Sequence, residues 1–112
     1  MPTTTAVLED RTDLLFHALA DRTRRDILRR AVAGEQSVTA LAADYEMSFA
    51  AVQKHVAVLH RAGLLRKRRV GREQLASGDV ETIRSVAAML DELAAVTHAR
   101  IARIDDLLAQ ES

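Results

Sequence analysis

The 112-residue chain lacks cysteine and tryptophan, has a single proline, and contains only two Phe and one Tyr. Without cysteine there are no disulfides, thiolate metal ligands or cysteine nucleophiles, which fits a cytoplasmic protein. No apolar run approaches the roughly 20 residues needed to span a bilayer, so no membrane partner is expected. The polar N-terminus also lacks the pattern of a signal peptide. At 48% apolar residues the chain suits one globular domain, with a core built mainly from Ala, Leu and Val.

The charges are balanced in number but not in position. The chain has 16 basic and 16 acidic side chains, for a formal net charge of zero. Residues 47–72 contain seven Lys or Arg and no Asp or Glu, whereas residues 79–111 contain seven acids and three Arg. This asymmetry predicts a polyanion-binding face on an otherwise neutral molecule.

Apolar spacing and capping residues predict four helices in the first half of the chain. Asp21, Ser37 and Ser48 are the expected N-caps, and Gly34 is expected to end the second helix in the left-handed conformation. A three-residue connection between the third and fourth helices is typical of a helix-turn-helix. The predicted helices cover about residues 11–20, 22–33, 38–44 and 49–62.

A hairpin and one long helix are predicted to complete the fold. The strands are expected at 64–70 and 72–75 around Gly71, with a break at Ser77-Gly78, and the last helix at about 80–109. The fold class is therefore mainly α with a small β-hairpin, a winged helix-turn-helix in the order α-α-α-α-β-β-α. The expected domains are a flexible N-terminal tail (1–9), a winged helix-turn-helix core (10–78) and a C-terminal dimerisation helix (79–112).

The last helix predicts a homodimer that associates through the terminal helices. About 30 residues give it a length of roughly 45 Å, and its apolar stripe with near-heptad spacing is longer than one small domain can cover. A second copy, with help from the first helix, is expected to cover the stripe. The predicted interface residues are Leu14, Leu15, Leu90, Leu93, Val96, Ile101, Ile104 and Leu108.

The fourth helix is predicted to separate a core face from a DNA face. At 100° per residue, Val52, Val56 and Leu59 share one side of the helix. The opposite side has no acidic residue and no large apolar residue. On that outer side Gln53 can pair with a base edge, preferably adenine, and Lys54 can reach guanine or a phosphate. Ser48 can bind a phosphate at the helix N-terminus. The predicted contacts to double-stranded DNA are Ser48, Ala50, Gln53, Lys54, His55 and Arg61 of this helix, and Arg66, Lys67, Arg68, Arg69 and Arg72 of the hairpin.

Four stretches of the sequence resemble the ArsR/SmtB family of bacterial repressors. They are FHALADRTRRDIL (16–28), MSFAAVQKHVAVL (47–59), AGLL (62–65) and GR (71–72). The resemblance implies a homodimeric winged helix that binds imperfect palindromes and represses transcription. It implies DNA contacts at Ser48, Gln53, Lys54 and His55, with basic wing residues on the backbone.

The sequence departs from the family pattern at several positions. Arg22 stands where Pro is common, Gln53 stands where Ser is common, and no aromatic residue ends the second wing strand, which predicts a short wing. The cysteine-containing metal motif of some members is absent. Many members release DNA on a signal, but this sequence does not identify an inducer.

No metal site, cofactor or catalytic residue is predicted. The four histidines do not converge within one chain, although Asp91 of one protomer could approach His98 of its partner across antiparallel helices. An enzyme is disfavoured because no phosphate loop or nucleophile–base pair is found. Two alternatives to a metal-independent repressor stay open: a metal- or ligand-gated sensor of the same fold, and a protein-interaction module that has lost DNA binding.

Overall fold

The computed structural model describes the backbone of residues 4–110 and the side chains of residues 10–110. It is mainly helical with a small antiparallel sheet, which confirms the predicted fold class. One element was not predicted, a two-residue strand between the second and third helices. The elements in chain order are α1 (Thr4–Leu19), α2 (Arg22–Ala33), β1 (Gln36–Ser37), α3 (Val38–Ala43), α4 (Phe49–Arg61), β2 (Leu65–Val70), β3 (Glu73–Gly78) and α5 (Val80–Gln110).

The chain divides into two compact units, Met1–Thr82 and Ile83–Ser112. The first unit contains the helix-turn-helix and the sheet, and the second contains most of α5. The predicted boundary at residue 78 lies slightly before the observed one. The predicted N-terminal tail is replaced by helix from Thr4 onwards, and its first three residues lie outside the described part of the chain.

The helices α2, α3 and α4 begin at capping residues, as predicted. The backbone N–H groups of Arg24, Ala40 and Ala51 donate to the side chains of the N-caps Asp21, Ser37 and Ser48, at 3.0, 3.3 and 3.1 Å. Each cap satisfies one amide that the first helical turn leaves unpaired. Between these helices and the sheet lies a core whose largest fully buried side chains are Ile27, Val38, Leu41, Val52, Val56, Leu59 and Leu64.

Leu15 belongs to this core. Its exposed fraction is 8%, whereas that of Leu14, the next residue back along α1, is 39%. The side chains of successive helical residues point about 100° apart, so a buried stripe that includes one of them leaves the other exposed to solvent. The predicted interface residue Leu15 therefore packs in the core of its own chain, and Leu14 is the exposed member of this pair.

The sheet has the strand order β1-β3-β2, with both pairs antiparallel. β3 runs to Gly78, whereas a break was predicted at Ser77-Gly78. The central position of β3 explains the difference: Ala76 pairs with both Gln36 and Lys67 and is fully buried. Gly78 allows close packing, because a Cβ there would overlap the side chain of Val32. The predicted short wing is thus replaced by two six-residue strands.

Gly71 meets its expectation as a turn residue, and Gly34 does not meet its own. Gly71 has φ +61° in the β2–β3 turn, and Gly63 has φ +85° after α4, where glycine avoids a steric cost. Gly34 was predicted to be left-handed but has φ 178°, an extended conformation, and its N–H donates to Arg30 O at 3.2 Å. The chain leaves α2 extended because it enters β1 two residues later.

None of the helices within residues 4–110 combines the length and the hydropathy of a bilayer-spanning segment.

Candidate nucleic-acid interface

The two faces of α4 are separated as the sequence predicts. Val52, Val56 and Leu59 are at most 1% exposed and hold the helix against the core, where α2 and α3 pack on it. The opposite side is exposed and carries Ala50, Gln53, Lys54, Ala57, His60 and Arg61. Because the two alanines have small side chains, the backbone of α4 can approach a base edge closely here, and polar side chains flank the alanines.

Ser48 stands at the exposed N-terminus of α4. Its Oγ accepts the cap hydrogen bond from Ala51 N, which leaves the hydroxyl proton for an outside acceptor. The free amides of the first helical turn and the helix dipole favour a negative charge at the same place. Ser48 can therefore donate to a phosphate without giving up its role as a cap.

His55 lies apart from the other predicted contacts of α4. Its side chain is 22% exposed, and its Nδ1 lies 3.4 Å from Arg24 Nη1 and 3.9 Å from Asp21 Oδ2. Arg24 in turn donates to the carbonyls of Ala18 and His17, at 2.8 and 2.9 Å. His55 thus faces the α1–α2 junction and fixes α4 to it, on the side away from Gln53 and Lys54.

Two of the wing arginines are neutralised within the chain. Arg68 donates to Glu35 from Nε at 2.8 Å and from Nη2 at 2.6 Å, and Arg66 Nε donates to Asp79 at 3.1 Å. The Arg68 guanidinium lowers the pKa of Glu35. The pKa of Asp79 is lowered first by the backbone N–H of Thr82, which it caps, and then by Arg66. Alternation along β2 places Arg66 and Arg68 on one face of the strand.

Of the other wing cations, Arg69 and Arg72 flank the turn at Gly71, and Lys67 lies further back on β2, opposite Ala76. Within residues 10–110 the structure gives Lys67, Arg69 and Arg72 no carboxylate partner. Arg69 and Arg72 are exposed and Lys67 is half-buried. The tip of the wing therefore carries Arg69 and Arg72 beside one acid, Glu73, whose carboxylate accepts a hydrogen bond from Ser37 Oγ at 3.2 Å.

Sequence reasoning missed Phe49. At 100° per residue Phe49 falls at the margin of the core face of α4, but its exposed fraction is 46%. It is the first residue of α4 and lies one turn before Gln53. The only sequence signal was an aromatic residue directly after an N-cap, and periodicity alone does not show whether such a side chain is covered.

A polar network ties the turn of the helix-turn-helix to α2. The Tyr45 hydroxyl donates to Asp26, Arg30 pairs with Asp44, and the Arg30 guanidinium lies 5.6 Å from the centre of the Tyr45 ring. Burial and the Asp26 carboxylate raise the pKa of Tyr45, so its hydroxyl remains a donor at neutral pH. The sequence predicted a tight connection here but not this network.

α5 carries a second exposed surface, which is apolar. Seven of its large apolar side chains have exposed fractions between 50% and 62%. They recur along a helix of 31 residues, about 46 Å long. We call these residues the α5 stripe: Leu90, Leu93, Val96, Ile101, Ile104, Leu107 and Leu108.

In the described part of the chain, no three His, Asp or Glu side chains gather closely enough to hold a metal ion. His55 is held by the α1–α2 junction, and His60 and His98 are exposed on separate helices.

A helix-turn-helix made of α3 and α4, followed by the β2–β3 wing, defines the class of winged helix-turn-helix proteins. No protein-family model and no curated protein matches the sequence. Solved structures do match. The chain is similar to an ArsR family transcriptional regulator, with 30% identity, 80% of this chain and 93% of that chain covered, and a TM-score of 0.75.

Two further structures agree with this match. An ArsR-like transcriptional regulator from Rhodococcus sp. RHA1 is 29% identical over 89% of this chain and 94% of its own, with a TM-score of 0.77. A homodimeric winged helix-turn-helix DNA-binding domain from Mycobacterium bovis is 27% identical over 88% of this chain and 90% of its own, with a TM-score of 0.68.

The chain belongs to the ArsR family of transcriptional regulators. This confirms the resemblance that the helix-turn-helix and wing motifs indicated. The protein is a DNA-binding regulator and not an enzyme.

Proposed function

We propose that this protein is a cytoplasmic repressor that binds a palindromic operator as a homodimer. The observation that carries the proposal is the exposed, acid-free side of α4, followed by wing cations that have no carboxylate partner within residues 10–110. A helix with such a side fits the major groove, and the flanking cations supply the salt-dependent attraction to phosphates.

Each exposed residue of the interface has a role in this proposal. Gln53 pairs with a base, adenine being the partner that matches its donor and acceptor, and Lys54 reaches guanine or a phosphate. Ala50 allows the close approach, and Ser48 and Arg61 bind the backbone at the two ends of α4. On the wing, Lys67, Arg69 and Arg72 bind phosphates directly, whereas Arg66 and Arg68 must first leave their carboxylates. His55 positions α4 and does not contact DNA.

The homodimer is proposed from the α5 stripe. A monomer in water rarely exposes an apolar row of this length, and the identical stripe of a second copy would bury it. The Mycobacterium bovis domain is homodimeric, which supports the same arrangement here. We propose that residues 79–112 form the dimerisation helix and that Leu14 extends the interface. Two symmetric α4 helices would then read two half-sites of a palindrome.

Repression follows from occupancy of a promoter. A dimer bound over two half-sites excludes other proteins from the same DNA, which is sufficient to block transcription when the operator overlaps a promoter.

Selection of bound duplexes from a random pool tests the proposal. We expect a palindromic consensus whose half-sites lie about one helical turn apart, with affinity falling steeply as salt rises. Replacing both Gln53 and Lys54 with alanine should abolish specific binding and leave the dimer intact. Arg11→Ala, which removes an exposed cation from α1, is the matched control and should retain the consensus. A folded dimer that selects no sequence would contradict the proposal and favour an interaction module.

A further inference from the structure

A cleft of about 500 Å³ lies on the outer side of α2, where Tyr45 reaches over from the turn between α3 and α4. Its volume is in the range of small-molecule sites. Most such sites are lined mainly by apolar residues, whereas every residue that lines this cleft bears a charge or a hydroxyl group. The lining residues are Arg22, Thr23, Arg25, Asp26, Arg29 and Tyr45.

The lining is strongly positive. Arg22, Arg25 and Arg29 follow one another at i, i+3 and i+7, which places them within an arc of about 60° on α2. Against these three positive charges the lining has one negative charge, that of Asp26, so its formal net charge is +2. The N-terminus of α2 is capped by the Asp21 carboxylate, so the positive charge of the cleft comes from the three arginines.

The arginines keep donors for a ligand. Arg22 has no carboxylate partner within residues 10–110, Arg25 uses Nη1 to bind Leu19 O at 2.7 Å, and Arg29 makes one long contact of 3.4 Å with Asp26. A guanidinium has five N–H donors in a planar fork that matches the oxygens of a phosphate. Asp26 offsets only one of the three positive charges, and its second oxygen accepts from the Tyr45 hydroxyl.

The cleft is separate from the proposed DNA face. α2 packs against α4 and buries Ile27, Leu28 and Ala31, so its arginine side points away from that contact. The outer side of α4 likewise points away from the core. A duplex on α4 therefore lies on one flank of the first unit and the cleft on another, which leaves the cleft open to solutes when DNA is bound.

Tyr45 connects the cleft to the DNA face. It both lines the cleft and lies three residues before Ser48, the N-cap of α4. Its hydrogen bond to Asp26 holds the α3–α4 turn on α2. An anion that draws Arg29 from Asp26 and places negative charge beside that carboxylate would disturb this attachment and thus the start of α4.

We propose that the cleft binds a small phosphate-bearing dianion and that occupancy weakens DNA binding. The second half of this inference rests on the proposed function, whereas the site itself does not. Two effects of the bound dianion both lower the affinity for DNA. The turn before α4 is disturbed, and two negative charges are added to a protein that binds a polyanion. By linkage, bound DNA lowers the affinity for the dianion by the same factor.

The intrinsic fluorescence of Tyr45 tests the site directly, because the chain has no tryptophan and Tyr45 is its one tyrosine. The full chain without DNA is titrated with inorganic phosphate at pH 8, with ionic strength held constant by chloride. We expect a saturable change in emission that the double variant Arg22→Gln/Arg29→Gln loses. The matched control Arg11→Gln/Arg103→Gln, which removes two exposed arginines elsewhere, should retain it. A change that does not saturate, or that the cleft variant keeps, would overturn the site.

The affinity for the selected operator duplex tests the coupling. Saturating phosphate at constant ionic strength should raise the dissociation constant about tenfold in the wild type and leave it unchanged in the cleft variant. A saturable Tyr45 response with no change in operator affinity would overturn the regulatory half of the inference. If the chain binds no duplex but still shows the Tyr45 response, the site stands and the proposed function fails.

Discussion

Arg68 on the wing and Glu35 before β1 form a bidentate ion pair, with both hydrogen bonds shorter than 3 Å. Planar pairs of this kind are geometrically specific, and they use the same guanidinium edge that would bind a phosphate. Glu35 therefore competes with DNA for Arg68. The strength of the wing as a phosphate-binding element depends on an acid that is 33 residues away in the sequence.

Glu35→Gln should strengthen DNA binding. The substitution frees Arg68 to bind a phosphate and removes a negative charge from the wing region. We expect a lower dissociation constant at low salt and a slope of log affinity against log salt that steepens by about 0.9 for each additional phosphate that the protein neutralises. Fluorescence anisotropy across a salt series measures both quantities.

Glu92→Gln is the control for this prediction. It removes one exposed acid from α5, where no wing arginine is paired with it. If both variants change the affinity and the salt slope equally, net charge alone is responsible and the competition for Arg68 is disproved.

Phe49 should make the protein sensitive to thymine methyl groups. An exposed aromatic side chain at the start of α4 is a suitable apolar contact for the methyl group of thymine in the major groove. Replacing the contacted thymine by uracil, which removes only that methyl group, should weaken wild-type binding about fourfold, the value for roughly 0.8 kcal/mol of buried methyl.

The comparison with Phe49→Ala isolates this contact. The variant should bind the thymine and uracil duplexes equally, because the methyl group has lost its partner. Thymine positions are substituted one at a time across the selected operator. A wild-type protein that is indifferent to every substitution would contradict the assignment of Phe49.

Capping residues were the most predictable part of the fold, because a cap is a local interaction. Asp21, Ser37 and Ser48 were placed correctly from residue type and the apolar residues that follow. Gly34 and Gly78 were misjudged because their conformations depend on distant partners. Gly34 is extended since β1 pairs with β3, and Gly78 stays in β3 since it packs on Val32.

The residues of the candidate site could be predicted from the sequence, but the ion pairs that neutralise two of its arginines could not. Periodicity separated the exposed side of α4 from Val52, Val56 and Leu59, which are buried through local helical geometry. The ion pairs that neutralise Arg66 and Arg68 join residues 13 and 33 positions apart, so no local pattern indicates them. Burial of Leu15 next to exposed Leu14 likewise depends on packing against other elements, and the sequence shows only two adjacent leucines.

Loss of the Asp21 cap should destabilise the protein in a pH-dependent way. The pKa of Asp21 is lowered from its ordinary value of 3.8, chiefly by the hydrogen bond from Arg24 N, with smaller contributions from the charges of His55 and Arg24. A carboxyl with a lowered pKa in the folded state stabilises that state above its unfolded pKa and loses the effect as the pH falls through the folded pKa.

Asp21→Ala should therefore reduce the free energy of unfolding by about 1 kcal/mol at pH 7, the usual cost of removing an N-cap. The difference from the wild type should shrink as the pH falls below about 4. Urea unfolding followed by circular dichroism at several pH values, at fixed protein concentration, measures it. Asp21→Asn keeps an acceptor for Arg24 N and should cost less. A loss that is the same at pH 3 and pH 7 would exclude the carboxylate as its cause.

The α5 stripe should be required for both association and operator binding. Leu93 is 62% exposed and Ile104 is 53% exposed in the single chain, so a charge at either position costs little unless a partner covers it. Leu93→Glu and Ile104→Glu should therefore give a folded monomer in sedimentation experiments, with helical content close to that of the wild type. Because each monomer would read only one half-site, affinity for the full palindrome should fall towards that for a single half-site.

Ala102→Glu introduces the same charge on the opposite face of α5 and should leave a dimer with unchanged affinity. If the two stripe variants remain dimeric while folded, the protomers must associate through a surface other than the α5 stripe.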